Sequence, residues 1–251
     1  MAVIAVGDIH GNLRALDDLL GQVTAEIGSG DTIVFLGDYI DRGPDSKACI
    51  ERILDLRRTT KAQVVGLLGN HEQWMLETCG DFTRHSWLLG MEAMATIQSY
   101  APHAAAQIGE RLRDLGPRVI LEKVRLPYEL FFDAIPAEHM AFLSGLRTFF
   151  RAPEGVFVHG GVDPANGKAE AQPSDHLIWG VEGFPDRYHG DDSIVYGHAN
   201  NPVLDEKGWP HPRIVGRTYG LDTIALGVLT ALRLPDGAIL QSRRHICTEP
   251  A

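Results

Sequence analysis

The feature that most constrains this chain is a unit that occurs three times in its N-terminal third. In each unit, a short apolar run ends at a glycine, and a polar residue able to bind a metal ion follows directly. The three junctions read Gly7-Asp8-Ile9-His10-Gly11, Gly37-Asp38-Tyr39-Ile40-Asp41-Arg42-Gly43 and Gly69-Asn70-His71-Glu72. A helix-forming stretch follows each junction, and this alternation is typical of a sheet with crossover helices.

The pattern predicts elements over most of the chain. Strands are expected at residues 3–6, 32–36 and 63–68, and helices are expected after Asn12, from Ser46, and from Glu72 towards Cys79. Residues from about 80 to 150 are predicted to form a mainly helical insertion. Strands resume at 156–158 and 193–196, and a β-hairpin is expected over 229–241. We expect one domain over residues 1–251, because the site described next draws on both halves of the chain.

Two later strands also end in a polar residue beside glycine. They read Val158-His159-Gly160-Gly161 and Tyr196-Gly197-His198. Each short motif alone is more often an ordinary turn. Together they place five polar junctions where the strands of an open α/β sheet converge on one crevice. Mixed aspartate, histidine and asparagine ligands suit manganese, iron or zinc. The sequence therefore predicts a metal site in which Asp38, with two oxygens, bridges two ions.

Composition limits the partners and the compartment. The net charge is −10, which gives no support for a nucleic-acid-binding or anionic-membrane-binding protein. The three cysteines are scattered without the spacing of a disulfide framework or a zinc site, so a reducing cytoplasm is expected. No stretch approaches the length of a membrane span. The oligomeric state is left open.

The five junctions, in their order and spacing, resemble the signatures of the phosphoprotein phosphatase family within the metallophosphoesterases. The similarity covers most of the chain and is weakest from about 80 to 130. It implies a four-layer αββα sandwich with two mixed β-sheets. It also implies two divalent metal ions, with manganese as the first expectation. One ion would be held by Asp8, His10 and Asp38, and the other by Asp38, Asn70, His159 and His198.

The resemblance also implies a reaction. A hydroxide bridging the two ions would attack phosphorus in line, and His71 would protonate the departing alkoxide. Asp41 would orient His71 and keep it cationic, and Arg42 would bind the phosphate oxygens.

The sequence departs from the family pattern where further phosphate-binding arginines are usual. Leu68 stands before the Gly-Asn-His-Glu run, and no arginine follows Ile178-Trp179 in Gly180-Val181-Glu182. The sequence does not choose among possible substitutes, which are Arg84, Arg147, Arg151, Arg213 and Arg217. The run Gly220-Leu221-Asp222-Thr223 resembles a late Asp-Thr motif of the family, with Ile224 in place of its usual glycine.

Three functions are compatible with these residues. The first is hydrolysis of phosphomonoesters resembling phosphoserine and phosphothreonine, on a phosphorylated protein or a small substrate. The second is symmetrical dinucleoside tetraphosphate hydrolysis, which Leu68 favours and the retained Asp41 does not. The third is a catalytically weak metal-binding scaffold, which the missing arginines suggest and the complete ligand set opposes.

Overall fold

The computed structural model describes residues 1–165 and 168–247. Its helices are α1 (Leu13–Glu26), α2 (Ser46–Thr59), α3 (Asn70–Gly80), α4 (Ser86–Gly90), α5 (Met94–Tyr100), α6 (Pro102–Leu115), α7 (Arg118–Leu121), α8 (Glu129–Phe132), α9 (Ala137–Ser144) and α10 (Ser174–Trp179). Its strands are β1 (Val3–Val6), β2 (Thr32–Phe35), β3 (Gln63–Gly66), β4 (Phe149–Ala152), β5 (Gly155–Val158), β6 (Ile194–Tyr196), β7 (Val203–Leu204), β8 (Pro210–His211), β9 (Arg213–Val215), β10 (Thr218–Gly220), β11 (Thr230–Leu234) and β12 (Ala238–Gln241).

The strands form two mixed five-stranded sheets and a small β7–β8 hairpin. The first sheet has the order β12-β11-β1-β2-β3, in which β1, β2 and β3 are parallel and β11 is antiparallel to both of its neighbours. The second has the order β4-β5-β6-β10-β9, in which β5, β6 and β10 are parallel. Each sheet therefore contains three adjacent parallel strands, at one side of the first sheet and in the centre of the second.

Alternation of side chains along the strands creates the layers. In β1, Ala5 packs with Val34 of β2 and Phe157 of β5 between the two sheets. The neighbouring residues Ile4 and Val6 instead pack with α1 and α2 on the outer face of the first sheet. On the outer face of the second sheet, strands β5 and β6 pack against Leu177 of α10. The arrangement is the predicted four-layer sandwich with two mixed sheets.

The first helix shows how local sequence fixes an element. The Asn12 side chain accepts a hydrogen bond from the Ala15 backbone N–H at 3.1 Å and so caps α1. Residues spaced three or four apart then face the first sheet: the buried residues of α1 are Ala15, Leu16, Leu19, Leu20 and Val23. This amphipathic spacing positions the helix that follows Asp8 and His10.

Helix α3 begins two residues earlier than the sequence predicted, so Asn70 and His71 belong to its first turn. The reason is a capping contact, in which the Glu72 carboxylate accepts a hydrogen bond from the Gly69 backbone N–H at 3.2 Å. The sequence analysis also missed five short strands that lack a clear alternating pattern, namely β4, β7, β8, β9 and β10.

The predicted insertion is helical from α4 to α9, and it returns to the sheets at β4. Its helix α5 packs against α2, and its apolar side chains, including Ile97 and Phe131, continue the cluster formed by α1 and α2. The assignment of residues 1–251 to a single domain remains our proposal. None of the helices in the described parts of the chain has the length and apolarity needed to cross a membrane.

The contact between the sheets gives a first prediction. Phe157 is completely buried between them. Phe157→Ala should lower the free energy of unfolding by about 3–5 kcal/mol, because it removes a large apolar group and leaves a cavity. Ile239→Ala, at a side chain that is 41% exposed, should change it by less than about 0.5 kcal/mol. Equal effects in urea unfolding would contradict this packing.

Candidate metal centre

The predicted metal ligands follow the parallel strands of both sheets. Asp8, Asp38 and Asn70 come after β1, β2 and β3, while His159 and His198 come after β5 and β6. Because the carboxyl ends of parallel strands lie at one edge of a sheet, the face-to-face sheets direct these residues to a common region. Four of these five residues are buried, and His198 is partly buried.

One group of side chains converges around the Asn70 oxygen. Asn70 Oδ1 lies 2.9 Å from His159 Nε2 and 3.0 Å from His198 Nδ1. His159 Nε2 also lies 3.3 Å from Asp38 Oδ1. Hydrogen bonding alone would favour the reverse orientation of the Asn70 amide, with its nitrogen facing Asp38 and both imidazoles. With its oxygen facing the same atoms, the Asn70 amide would be able to bind a cation.

A second group lies on the other side of Asp38. The ligand atoms of His10, Asp38 and His71 all lie within 4.8 Å of one another, as do those of Asp38, His159 and His198. Asp38 is therefore shared between the two groups, as expected of a bridging carboxylate. The grouping differs from the predicted one in that it contains His71 and leaves out Asp8.

Asp8 is buried and directed at His198. Its Oδ2 accepts a hydrogen bond from the His198 backbone N–H at 2.9 Å. Burial, followed by repulsion from the Asp222 carboxylate, raises the pKa of Asp8 well above its ordinary value. A cation near these acidic groups would favour the charged carboxylate that metal binding requires. Asp8 thus stays our proposed ligand, on chemistry and position.

The histidines are oriented as metal ligands usually are. His10 Nδ1 lies 3.0 Å from the Ile40 carbonyl, and His159 Nδ1 lies 2.9 Å from the Leu36 carbonyl. Donation from each Nδ1–H would direct the Nε2 lone pair to the centre. Burial lowers the pKa of His159, but the Asp38 carboxylate raises it more, to about 10, so a metal ion binding there would displace a proton. In the described part of the chain, buried His10 Nε2 has no hydrogen-bond partner. Burial also lowers the pKa of His10 to about 3, so its imidazole is neutral and able to bind a metal.

Backbone strain concentrates at this centre. Six described non-glycine residues have positive φ, and five of them belong to the predicted site; those five are His10, Asp38, Asp41, Arg42 and His198. Such conformations cost energy and persist where surrounding contacts impose them. The strain therefore marks the loops that carry the predicted ligands.

Two glycines make room for the carboxylates. A Cβ atom on Gly69 would lie 2.1 Å from Asp38 Oδ1, and one on Gly197 would lie 2.0 Å from Asp8 Oδ1. Any side chain at these positions would displace a predicted ligand. Glycine is thus required at these two junctions because the carboxylates approach the backbone closely, as well as because the chain turns there.

Glu72 holds the loop that carries Asp38. Its Oε2 accepts a hydrogen bond from the Asp38 backbone N–H at 3.0 Å, and its Oε1 accepts one from that of Tyr39 at 2.9 Å. Oε1 also accepts from the Ile40 backbone N–H at 3.2 Å. The sequence analysis quoted Glu72 within a motif but gave it no role.

His71 and Asp41 form the predicted pair. His71 Nδ1 lies 2.7 Å from Asp41 Oδ2, and both side chains are buried. His71 Nε2 faces the centre, 3.8 Å from Asp38 Oδ2. Burial lowers the pKa of His71, but the Asp38 and Asp41 carboxylates outweigh it, and the net shift is upward. The pair can therefore supply a proton at Nε2.

The helical insertion supports Asp41. Trp87 Nε1 donates a hydrogen bond to Asp41 Oδ2 at 2.8 Å, and Thr96 Oγ1 donates one to Asp41 Oδ1 at 2.6 Å. The Asp41 backbone N–H donates to Thr96 Oγ1 at 2.8 Å. The sequence analysis missed Thr96, since nothing in its local pattern distinguishes it. Of Trp87 and His85, only Trp87 contacts the predicted catalytic pair; His85 instead contacts Tyr128 and Val124.

Arg42 is the residue after Asp41, and its side chain is exposed. It forms no ion pair within the described residues. Its charge is close enough to contribute to the lowered pKa values of His10 and His198, after burial and nearer charges. Three of the possible substitute arginines form surface ion pairs instead: Arg84 with Glu77, Arg151 with Glu170 and Asp192, and Arg213 with Asp186. Compared with these three, Arg42 is better placed to meet an anion at the centre.

Comparison with known proteins identifies the family. The family model described as calcineurin-like phosphoesterase matches residues 1–227. An asymmetrical bis(5'-nucleosyl)-tetraphosphatase of Geobacillus thermodenitrificans is 30% identical, over 94% of this chain and 91% of the relative. A symmetrical bis(5'-nucleosyl)-tetraphosphatase of Proteus mirabilis is 26% identical, over 94% and 95% respectively.

A solved structure is also similar in fold. A protein described as a candidate diadenosine tetraphosphatase superposes with a TM-score of 0.60 at 22% identity, over 96% of this chain and 92% of that one. This similarity confirms the predicted fold, and the family match confirms the predicted class of enzyme. The chain belongs to the calcineurin-like phosphoesterases, hydrolases of phosphoester bonds that work with divalent metal ions.

Proposed function

We propose that this protein hydrolyses phosphomonoesters with poor leaving groups, such as phosphoserine and phosphothreonine, using His71 as general acid. The observation that carries the proposal is the buried Asp41–His71 pair, whose Nε2 faces the carboxylate of Asp38. An alkoxide leaves slowly without a proton, so a cationic imidazole at this position suits that substrate class.

Asp38 is the proposed bridging ligand of two divalent ions. The proposed remaining ligands are Asp8 and His10 on one side, and Asn70, His159 and His198 on the other. When bound, the ions lower the pKa of a water molecule and polarise the phosphoryl oxygens. Manganese is the first ion to test, with iron and zinc as alternatives compatible with this ligand set.

A cytoplasmic location also remains a prediction.

The other residues of the chain orient the substrate and hold the proton. Arg42 provides a planar pair of donors for phosphoryl oxygens. Asp41 fixes the His71 ring through Nδ1, and Trp87 and Thr96 fix Asp41 in turn. The proton on His71 Nε2 passes to the leaving oxygen.

Metal removal tests the first part of the proposal. Chelation should abolish hydrolysis of p-nitrophenyl phosphate, and manganese should restore it. Ions bound only by the folded state should also stabilise it, by about 2.7 kcal/mol at one hundred times their dissociation constant. Thermal unfolding with and without manganese measures this. Full activity in the chelated protein would contradict a metal centre.

The role of His71 is tested by comparing leaving groups. His71→Asn should lower kcat for a phosphoserine peptide by about 10²–10⁴-fold, the usual contribution of a general acid. The loss should be much smaller for p-nitrophenyl phosphate, because nitrophenolate leaves without a proton. His103→Asn, which changes an exposed histidine, serves as the control. Equal losses for both substrates would contradict the proposed acid.

Dinucleoside polyphosphate hydrolysis is the second candidate, favoured by aromatic residues beside the centre. The indole of Trp179 lies 6.1 Å from the His198 ring and 4.8 Å from Trp74, measured between centroids. Both tryptophans are partly exposed. The relatives named as bis(5'-nucleosyl)-tetraphosphatases, aligned over 94% of this chain, support the same substrate class.

Trp179→Ala tests this second candidate. If a base stacks on the indole, the variant should raise KM for diadenosine tetraphosphate about 5- to 150-fold, since such stacking contributes about 1–3 kcal/mol per base. KM for p-nitrophenyl phosphate should change little. Trp209→Ala, at a partly exposed tryptophan bonded to Gln241, is the matched control. No turnover of the dinucleotide by the unaltered enzyme would exclude this candidate.

A further inference from the structure

Asp222 is a buried carboxylate for which the proposed reaction has no role. Asp222 is only 2% exposed. Within the described residues, no donor meets hydrogen-bond geometry at Oδ1 or Oδ2. The Ile224 backbone N–H interacts with the carboxylate only weakly, and burial raises the pKa of Asp222 more than this contact lowers it. The other acidic residues of the centre accept hydrogen bonds from backbone or side-chain donors: Asp8 from His198, Asp38 from His71, Asp41 from Thr96, and Glu72 from Tyr39.

The strand register places Asp222 at the metal centre. Strands β6 and β10 are parallel, with Tyr196 opposite Gly220, and the Leu221 backbone N–H donates to the Tyr196 carbonyl at 2.8 Å. Continued two residues beyond this pair, the same register would bring Asp222 level with His198. The His198 backbone N–H in turn donates to Asp8.

A close packing contact places it independently. A Cβ atom on Gly7 would lie 2.6 Å from the Leu221 carbonyl oxygen, so the chains touch one residue before Asp8 and one residue before Asp222. Asp8 and Asp222 are therefore the residues that directly follow the backbone contact between Gly7 and Leu221. Their repulsion contributes, after burial, to the raised pKa of Asp8.

Asp222 also completes a regular pattern. Six strands have a parallel neighbour, namely β1, β2, β3, β5, β6 and β10. The first five are followed by the proposed ligands. Asp222 follows β10, two residues after its end, as Asp8 follows β1 and His198 follows β6.

An unpaired buried carboxylate is costly unless a cation offsets its charge. The ion assigned to Asp8, His10 and Asp38 has three protein ligands, one fewer than the ion on the other side of Asp38. We propose that Asp222 is a further anionic residue of the Asp8–His10 metal site, stabilising its cation and stabilised by it. This inference rests on the proposed metal centre.

Asp222→Asn separates this role from a structural one. Manganese affinity at one of two sites should fall about 10–100-fold, the usual effect of losing a residue around a metal. Titration calorimetry on the metal-stripped protein measures this fall. The metal-free variant should unfold at the same or a higher temperature than the metal-free parent, because the change removes an unpaired buried charge. Manganese should then stabilise the variant less than the parent.

The outcomes distinguish the possible failures. Asp191→Asn removes one negative charge from an exposed position and should leave manganese affinity unchanged. Unchanged affinity in Asp222→Asn, in a parent that binds manganese and is active, would overturn this inference alone. So would a metal-free variant that unfolds at a lower temperature with normal manganese affinity, since that result indicates a structural role. A parent that binds no metal would overturn the proposed centre as well.

Discussion

The geometry of the centre depends on the hydrogen bonds that the Glu72 carboxylate accepts. It accepts hydrogen bonds from the backbone N–H groups of Asp38, Tyr39, Ile40 and Gly69, at 2.9–3.2 Å. These bonds cap α3 and hold the loop after β2 in one conformation. The loop includes Asp38 at φ 52°, a conformation that a non-glycine residue adopts only under constraint. One buried side chain thus joins the junctions that follow β2 and β3.

The sheets bring the remaining groups to that loop. Parallel strands place their carboxyl ends at one edge, and the apolar contact between sheets aligns the edge of β1–β3 with that of β5, β6 and β10. His159 reaches the first sheet through the Leu36 carbonyl, and His198 reaches it through Asp8. The centre therefore lies where the two sheets meet, and both packing and hydrogen bonding hold its residues in place.

Much of this could be predicted from the sequence, because strand ends and glycines carry local signals. The junctions at Asp8, Asp38 and Asn70 follow apolar runs directly, and the family match agrees with the class of enzyme they indicate. The support that Thr96 gives Asp41 could not be predicted, because Thr96 lies on an insertion with no local pattern relating it to the site. The short β10 strand was missed for the same kind of reason, since its partner β6 is distant in sequence.

The sequence by itself determined the chemical types at the centre and their order along the chain. It did so because glycine turns and apolar strands depend on interactions between residues that are neighbours in the sequence. Only the tertiary structure decided which atoms meet. Asp38 lies between two groups of side chains, and His71 Nδ1 meets Asp41. The Asp222 carboxylate is buried with no donor in hydrogen-bond geometry among the described residues. Such relations depend on contacts between residues far apart in sequence, which packing of the two sheets and the insertion creates.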